Sequence, residues 1–94
     1  MSQVDLSTRI RIAEDVLVQA VGGELVMLDL NQEKYFGLDP VGARIWALIQ
    51  DHGSLEQVYR AMLDEYDVEA EQLESDLLEL VNDLLDAGVI ETAD

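Results

Sequence analysis

The sequence NQEKYFGLDPVGARIWALI, residues 31–49, changes from the pattern of a strand to that of a helix within a few positions. Residues 34–38 carry two aromatic side chains and are typical of a short strand. Asp39 and Pro40 mark a helix start, because the Asp39 carboxylate can accept hydrogen bonds from free amides and proline is tolerated at the first helical position. Apolar residues follow at helical spacing: Val41, Ile45, Leu48 and Ile49. We therefore predict sheet before this stretch and helices after it.

Two further strands are predicted upstream. Residues 16–21 and 24–30 are rich in β-branched and apolar side chains. The Gly-Gly pair between them suits a two-residue hairpin turn, because glycine adopts positive φ without strain. With residues 34–38 these segments form an antiparallel meander in which 34–38 lies at one edge.

Three helices are predicted downstream. Gly53 and Gly88 are expected as left-handed C-caps, and Ser54 with Gln57 three residues later has the pattern of a capping box. The predicted helices cover residues 40–51, 55–66 and 70–87, with short extended pieces at 9–12 and 89–91. This order predicts an α+β, winged-helix-like domain, a three-stranded antiparallel sheet followed by three helices. Residues 1–8 show no clear period and are expected to form a loose tail before a domain at 9–94.

Acidic residues dominate the charge of the chain. Its 94 residues include 21 Asp and Glu against 5 Lys and Arg, a net charge of −16, of which residues 51–94 carry −13. Such a surface repels phosphate backbones and anionic lipid, and it attracts basic peptides or proteins. The chain has no cysteine, which excludes disulfides and thiolate metal sites. It also lacks an apolar run of ~20 residues and a signal-peptide core, so we expect a cytoplasmic protein.

No catalytic or metal-binding set is recognisable in the sequence. His52 is the only histidine, and its place at the end of the first predicted helix fits a favourable charge at a helix C-terminus. Carboxylate pairs such as Asp64-Glu65 have the spacing of a solvated helix face. Residues 64–67 lack the glycine and the final glutamate of an EF-hand loop. We therefore predict a protein that is not an enzyme and that uses no metal or cofactor.

A DNA-binding regulator is an alternative of another class. Two helices joined by residues 51–53 have the look of a helix-turn-helix, and winged helices often bind DNA. However, the candidate recognition helices contain one arginine, Arg60, or none. Phosphate contacts dominate the affinity of DNA-binding proteins, so this composition disfavours DNA as a partner.

The residues instead predict a groove for an extended peptide. The edge segment 34–38 has no proline and one charge, Lys34, so its backbone is open to another strand. In the third helix, Leu78 and Leu85 add a row to the apolar stripe. A strand edge beside an apolar helix wall suits peptide binding by strand addition. Alternatively, the added leucines complete the core or a dimer interface.

The segments LDLNQEKYFGLDPVGARIWALI, SLE and YDVEAEQLESDLLELVNDLLDAGVIE resemble the PqqD family, and more narrowly the stand-alone RiPP recognition elements of lasso-peptide biosynthesis. The resemblance covers about residues 14–91 and is most specific between Tyr35 and Trp46. It implies a winged-helix-like module, without catalysis, that binds the leader segment of a ribosomally synthesised precursor peptide as a strand added beside the third strand. It also implies delivery of the precursor to a separate leader protease and cyclase. A PqqD-type peptide chaperone for a radical-SAM enzyme is the alternative within this fold.

The resemblance also implies the binding residues. Edge pairing is expected at Glu33, Lys34, Tyr35, Phe36, Gly37 and Leu38. The opposite wall is expected on the third helix between Leu73 and Leu85. The sequence leaves open which rows face the groove; from their spacing as one strip we expect Asp76, Leu77, Leu80, Asp83 and Leu84. Its carboxylates would meet basic or hydroxyl side chains of the leader, and its leucines would line apolar pockets. Trp46 is expected in the core, whereas strand alternation leaves open whether Tyr35 or its neighbours face the helices.

Overall fold

A computed structural model describes residues 4–31 and 33–93. It confirms the predicted α+β class, with a three-stranded antiparallel sheet followed by three helices and an additional two-stranded sheet. In chain order the elements are β1 (Ile10–Ile12), β2 (Val16–Val21), β3 (Glu24–Asp29), β4 (Lys34–Leu38), α1 (Pro40–His52), α2 (Leu55–Glu65), α3 (Ala70–Ala87) and β5 (Ile90–Thr92).

The larger sheet has the order β2-β3-β4. As predicted, Gly22 and Gly23 make the turn between β2 and β3, with φ of 60° and 86°. Strand β4 runs antiparallel to β3, with Lys34 opposite Asp29. Within the described residues β4 pairs with β3 alone, so its other side is a sheet edge.

Strand β4 passes into α1 almost without a loop. Asp39 Oδ1 accepts a hydrogen bond from the Gly42 amide at 2.8 Å, and Pro40 is the first helical residue, as predicted. A Cβ atom on Gly42 would lie 3.0 Å from Leu38 Cδ2, which is tighter than an ordinary contact. The first turn of α1 therefore packs directly against the end of β4, and this packing fixes where the helix begins.

The capping box predicted at the start of α2 is wrong. Ser54 occupies the N-cap position, but its side chain makes no capping hydrogen bond. The segment before β1 crosses this helix end instead: Ser54 forms a β-bridge with Arg9, and the Leu55 amide donates to the Thr8 carbonyl at 3.5 Å. A main-chain acceptor from a distant part of the sequence therefore binds the first amide of the helix, and the serine hydroxyl caps none.

The smaller sheet joins the two ends of the domain. Strands β1 and β5 pair antiparallel, and Arg11 Nε donates to Glu91 Oε1 across them at 2.9 Å. The boundary between a tail and a domain at residue 8 stays a prediction. Of that tail the structure describes residues 4–8, and Val4 packs in the core with 9% of its surface exposed.

The core lies between the larger sheet and the three helices. Trp46 is 1% exposed, as predicted for a core residue. Leu78 and Leu85 are partly buried and pack against this core, as the alternative explanation of the added leucine row expects. None of the helices in the described residues is both long and apolar enough to cross a membrane. The buried residues of α3 are Leu73, Leu77, Val81 and Leu84.

A candidate peptide-binding groove beside strand β4

One hydrogen bond, formed just beyond the paired ends of β2 and β3, shows to which side the backbone groups of β3 point. The Leu30 amide donates to the Asp15 carbonyl at 2.9 Å, one step beyond the opposed pair Val16 and Asp29. Backbone groups of an antiparallel strand point alternately to its two sides. Since residue 30 points to β2, Asp29 and every second residue before it point to β4.

The same alternation identifies the free groups of β4. The residues of β4 whose backbone faces β3 are therefore Lys34, Phe36 and Leu38, opposite Asp29, Met27 and Leu25. The N–H and C=O groups of Tyr35 and Gly37 point to the other side, away from the sheet. These two residues are the ones that can pair with a guest strand.

Side chains of β4 alternate between the two faces of the sheet. Leu38 is 5% exposed and Phe36 is partly buried against the core, so both face the helices. Tyr35 is 75% exposed and lies on the opposite face, which resolves the question that the sequence left open. Lys34 is exposed, and Glu33 lies in the preceding turn with φ of 55°.

A groove of about 420 Å³ opens between β4 and the helices. Strand β4 forms one side, the first two turns of α1 form the floor, and α3 forms the far wall. Of the strip predicted on α3, Asp76 and the partly buried Leu80 line this groove together with the β4 residues. The lining residues are Phe36, Gly37, Leu38, Asp39, Val41, Gly42, Ile45, Asp76 and Leu80.

A smaller hollow of about 170 Å³ adjoins the groove and shares Val41, Ile45 and Asp76 with it. It extends between α1, α2 and α3 towards the α2–α3 loop. Val41 and Val68 are 46% and 47% exposed, so this hollow presents apolar surface to the solvent. Its remaining lining residues are Met62, Tyr66, Val68, Gln72, Leu73 and Leu77.

Three residues of the predicted α3 strip have other positions. Leu77 and Leu84 are fully buried in the core, although Leu77 also borders the smaller hollow from beneath. Asp83 is exposed and does not line either hollow among the described residues. Helical spacing predicts Val41 and Ile45 in an apolar stripe of α1 but does not identify them as groove residues. Their position in the two turns directly after the edge strand was the available signal.

The charges around the groove leave it in an acidic field. Within residues 4–31 and 33–93, three basic side chains form ion pairs, which are Arg11–Glu91, Arg44–Glu65 and Arg60–Glu56. The bidentate hydrogen bonds from Arg44, at 2.8 and 2.6 Å, lower the pKa of Glu65 and raise that of Arg44. Asp76, at the groove, accepts a hydrogen bond from Gln72 Nε2 at 2.9 Å. The exposed acids of α3 thus retain a strongly negative potential along one wall.

A polar hollow of about 440 Å³ lies elsewhere, between β1, β5 and the end of β3. Its side chains bond to one another: Arg11 to Glu91, and Asn31 Nδ2 to Asp15 Oδ2 at 3.0 Å. Asp29 accepts a hydrogen bond from the Asn31 amide at 2.9 Å. No cluster of acidic or histidine side chains in residues 4–31 and 33–93 could hold a metal ion.

The family model of coenzyme PQQ synthesis protein D (PqqD) matches residues 24–90, which include β3, β4 and all three helices. The chain belongs to the PqqD family. The resemblance stated from the sequence is therefore confirmed. No curated protein sequence matches this PqqD-family chain.

Two solved structures are similar to it over nearly their whole length. One is TbiB1 in complex with the TbiA(beta) leader peptide, with 34% sequence identity and a TM-score of 0.82, covering 89% of this chain and 99% of that one. The other is a lasso peptide synthetase B1 complexed with the leader peptide, with 26% identity and a TM-score of 0.79, covering 88% and 98%. Both likenesses agree with the PqqD-like recognition element that the sequence indicated.

Proposed function

We propose that this protein binds the leader segment of a ribosomally synthesised precursor peptide, which adds as a strand to β4 and lies in the groove. The observation that carries the proposal is the juxtaposition of two features. The backbone groups of Tyr35 and Gly37 point away from the sheet, and a largely apolar groove opens directly beside them. Backbone pairing supplies affinity, and alternate side chains of the guest enter the groove and fix its register.

The comparisons support this proposal. Both similar solved structures are complexes with a leader peptide, and each is covered almost completely by this chain. Within the segment Glu33 to Leu38, backbone pairing is assigned to the outward-pointing N–H and C=O groups of Tyr35 and Gly37. Leu80, with Val41 and Ile45 from α1, is assigned to apolar side chains of the leader. Asp76 is assigned to a basic or hydroxyl side chain of the leader. Asp83 contributes to the negative charge of α3 beside the groove. Leu77 and Leu84 stabilise the position of α3 through their packing in the core.

The protein presents the bound precursor to separate enzymes and catalyses no step itself. In a lasso-peptide pathway those enzymes are a leader protease and a cyclase, and the reaction takes place in the cytoplasm. The sole histidine supports the absence of catalysis, because His52 lies exposed in the last turn of α1 and lines neither the groove nor the adjoining hollow. The description of the family as a coenzyme PQQ synthesis protein favours a second candidate, delivery of the precursor to a radical-SAM enzyme through the same groove.

Titration with a fluorescently labelled leader peptide tests the proposal. The peptide is taken from the precursor gene next to the gene of this protein, and we expect a complex of micromolar affinity or tighter. A scrambled peptide of the same composition and charge is the control, since it retains the electrostatic attraction but not the register. DNA duplex should not bind at physiological salt. Equal binding of the scrambled peptide, or chemical-shift changes on a surface away from β4, would contradict the proposal.

A further inference from the structure

The exposed apolar side chains divide between two surfaces. Of the large apolar residues that are exposed in the described chain, Val41 and Val68 border the groove and its adjoining hollow. The others all belong to the larger sheet or its β3–β4 turn: Leu17, Val21, Val26, Leu30 and Tyr35, with exposures between 38% and 75%. A second apolar surface therefore exists that the groove does not include.

The sheet residues lie together on the face away from the helices. Leu17, Leu28 and Tyr35 oppose one another in a row across the three strands. Leu30 joins this row, because Leu28, Leu30, Glu33 and Tyr35 line a shallow hollow of about 380 Å³. The intervening Met27 and Phe36 face the core. We call the set Leu17, Val21, Val26, Leu28, Leu30 and Tyr35 the outer face.

An outer face of this composition is unusual for a sheet with one solvated side. Such sheets normally alternate apolar residues towards the core with polar residues towards water. In β2 the outward positions instead hold Leu17 and Val21, with Gln19 as the polar member. Contiguous exposed apolar surface on a soluble protein commonly marks a protein interface.

The negative charge favours a different protein, and not a second copy of this chain, as the partner of the outer face. Glu24 and Glu33 lie exposed at the border of the outer face, and the chain carries a net charge of −16. Association of two copies would bring these carboxylates, and two chains that each carry a net charge of −16, close to their like, which is unfavourable. A partner with an apolar patch surrounded by Lys and Arg is complementary to this surface, and the long-range field accelerates its approach.

The outer face also borders the proposed leader site. The backbone N–H and C=O groups of Tyr35 point to the free edge of β4, and its side chain lies on the outer face. A leader strand paired with β4 would extend the sheet, and every second side chain of that strand would lie beside Tyr35. A protein bound to the outer face would consequently lie next to the leader.

We infer that the outer face is the docking surface for a leader-processing enzyme, whose contact surface is apolar and ringed by basic residues. This inference rests on the proposed function, because it assigns the leader to the groove and the enzyme to the opposite face of the same sheet. The two partners then bind at once, and the enzyme acts on a precursor held within its reach.

The test uses the full chain, its leader peptide and the leader protease encoded beside it, each binding event being measured separately by calorimetry. The double variant Leu17→Gln/Leu30→Gln changes two exposed side chains, so its fold should be unaltered. We expect its affinity for the protease to fall at least tenfold, since each glutamine would place an unpaired polar amide in the apolar contact. Its affinity for the leader should stay within about twofold of the parent.

The matched control replaces the same number of exposed apolar side chains, one at the groove and one at its adjoining hollow. Val41→Thr/Val68→Thr should weaken leader binding at least tenfold and leave binary protease binding unchanged. If Leu17→Gln/Leu30→Gln binds protease as tightly as the parent, or if the parent binds no protease, the inference is overturned. A parent that sediments as a dimer and a variant that sediments as a monomer would assign the outer face to self-association and overturn it too. Failure of the proposed function appears in a different readout, the leader titration without protease.

Discussion

Two hollows of nearly equal volume differ in almost every other property. The polar hollow beside β1 and β5 measures about 440 Å³ and the groove beside β4 about 420 Å³. The first is lined mainly by charged and amide side chains that bond to each other, such as Arg11 with Glu91. The second is lined mainly by apolar side chains and adjoins backbone groups that point away from the sheet. Volume therefore does not distinguish a peptide site from a surface depression.

The two hollows differ in what a guest chain would gain. In the polar hollow a guest would have to displace existing hydrogen bonds, including those of Asn31, and such an exchange contributes little net free energy. In the groove a guest strand adds hydrogen bonds at Tyr35 and Gly37 and removes apolar surface from water. The unpaired edge and the apolar wall together define the site, and each can be tested separately.

Proline substitutions distinguish the residues of β4 whose amides face β3 from those whose amides face the guest strand. They have the largest expected effects. In Phe36→Pro the lost amide faces β3 and the aromatic side chain packed against the core is lost too, so we expect destabilisation by about 3 kcal/mol or more. In Tyr35→Pro the lost amide faces the guest, so the fold should persist while leader affinity falls roughly tenfold, a change of about 1.4 kcal/mol. Thermal unfolding followed by circular dichroism and leader titration measure the two effects.

Alanine variants are the controls for the proline pair. Tyr35→Ala and Phe36→Ala lose the side chain but retain the amide, so each isolates the contribution of the backbone group. A stable Phe36→Pro protein, or a Tyr35→Pro protein that binds leader like Tyr35→Ala, would show that the alternation assigned to β4 is shifted by one residue.

Two leucines of α3 distinguish the core from the groove wall. Leu77 is fully buried, so Leu77→Ala should lower the free energy of unfolding by about 2–5 kcal/mol. Leu80 is only partly buried and lines the groove, so Leu80→Ser should have a smaller effect on stability and weaken leader binding roughly tenfold. Chemical denaturation and leader titration of the same samples provide both values.

A variant of the polar hollow completes this comparison. Glu14 lines that hollow and is exposed, so Glu14→Gln should change neither stability nor leader affinity appreciably. The preference for the groove would have to be abandoned if Glu14→Gln weakened leader binding as much as Leu80→Ser.

Local signals account for the parts of the fold that the sequence predicted well. The bounds of β4 and α3 were predicted correctly because strand alternation, Asp39, Pro40 and Gly88 act within a few residues of the boundaries they define. Pairing of β1 with β5 could not be predicted, since three-residue strands carry no register information. The acceptor that Thr8 provides to α2 is likewise a contact between residues far apart in sequence.

The groove was only partly predictable for a related reason. The edge of β4 follows from strand order, which the hairpin signals give. The rows of α3 cannot be assigned in this way. Leu77, Leu80 and Leu84 all fall within one wide apolar stripe, and their spacing does not indicate which of them faces the core and which faces the groove. Only the positions of α1 and β4 determine that Leu80 lies at the groove while its neighbours are in the core.

The ion pairs beside the two hollows should differ in their contribution to stability, and this is the smallest expected effect. Arg44 and Glu65 join α1 to α2 with side chains 42% and 35% exposed, whereas Arg11 and Glu91 at the polar hollow are 67% and 51% exposed. Since the hydrogen bonds from Arg44 lower the pKa of folded Glu65, its carboxylate stabilises the fold above the ordinary glutamate pKa of about 4.3. This contribution is lost as the pH falls through the lower folded value. Glu65→Gln should therefore reduce the melting temperature slightly at pH 7 and no longer do so in acid below the lowered folded pKa, and Glu91→Gln should change it less at either pH. Melting curves across this pH range would contradict the assignment if the Glu65→Gln difference persisted undiminished in acid.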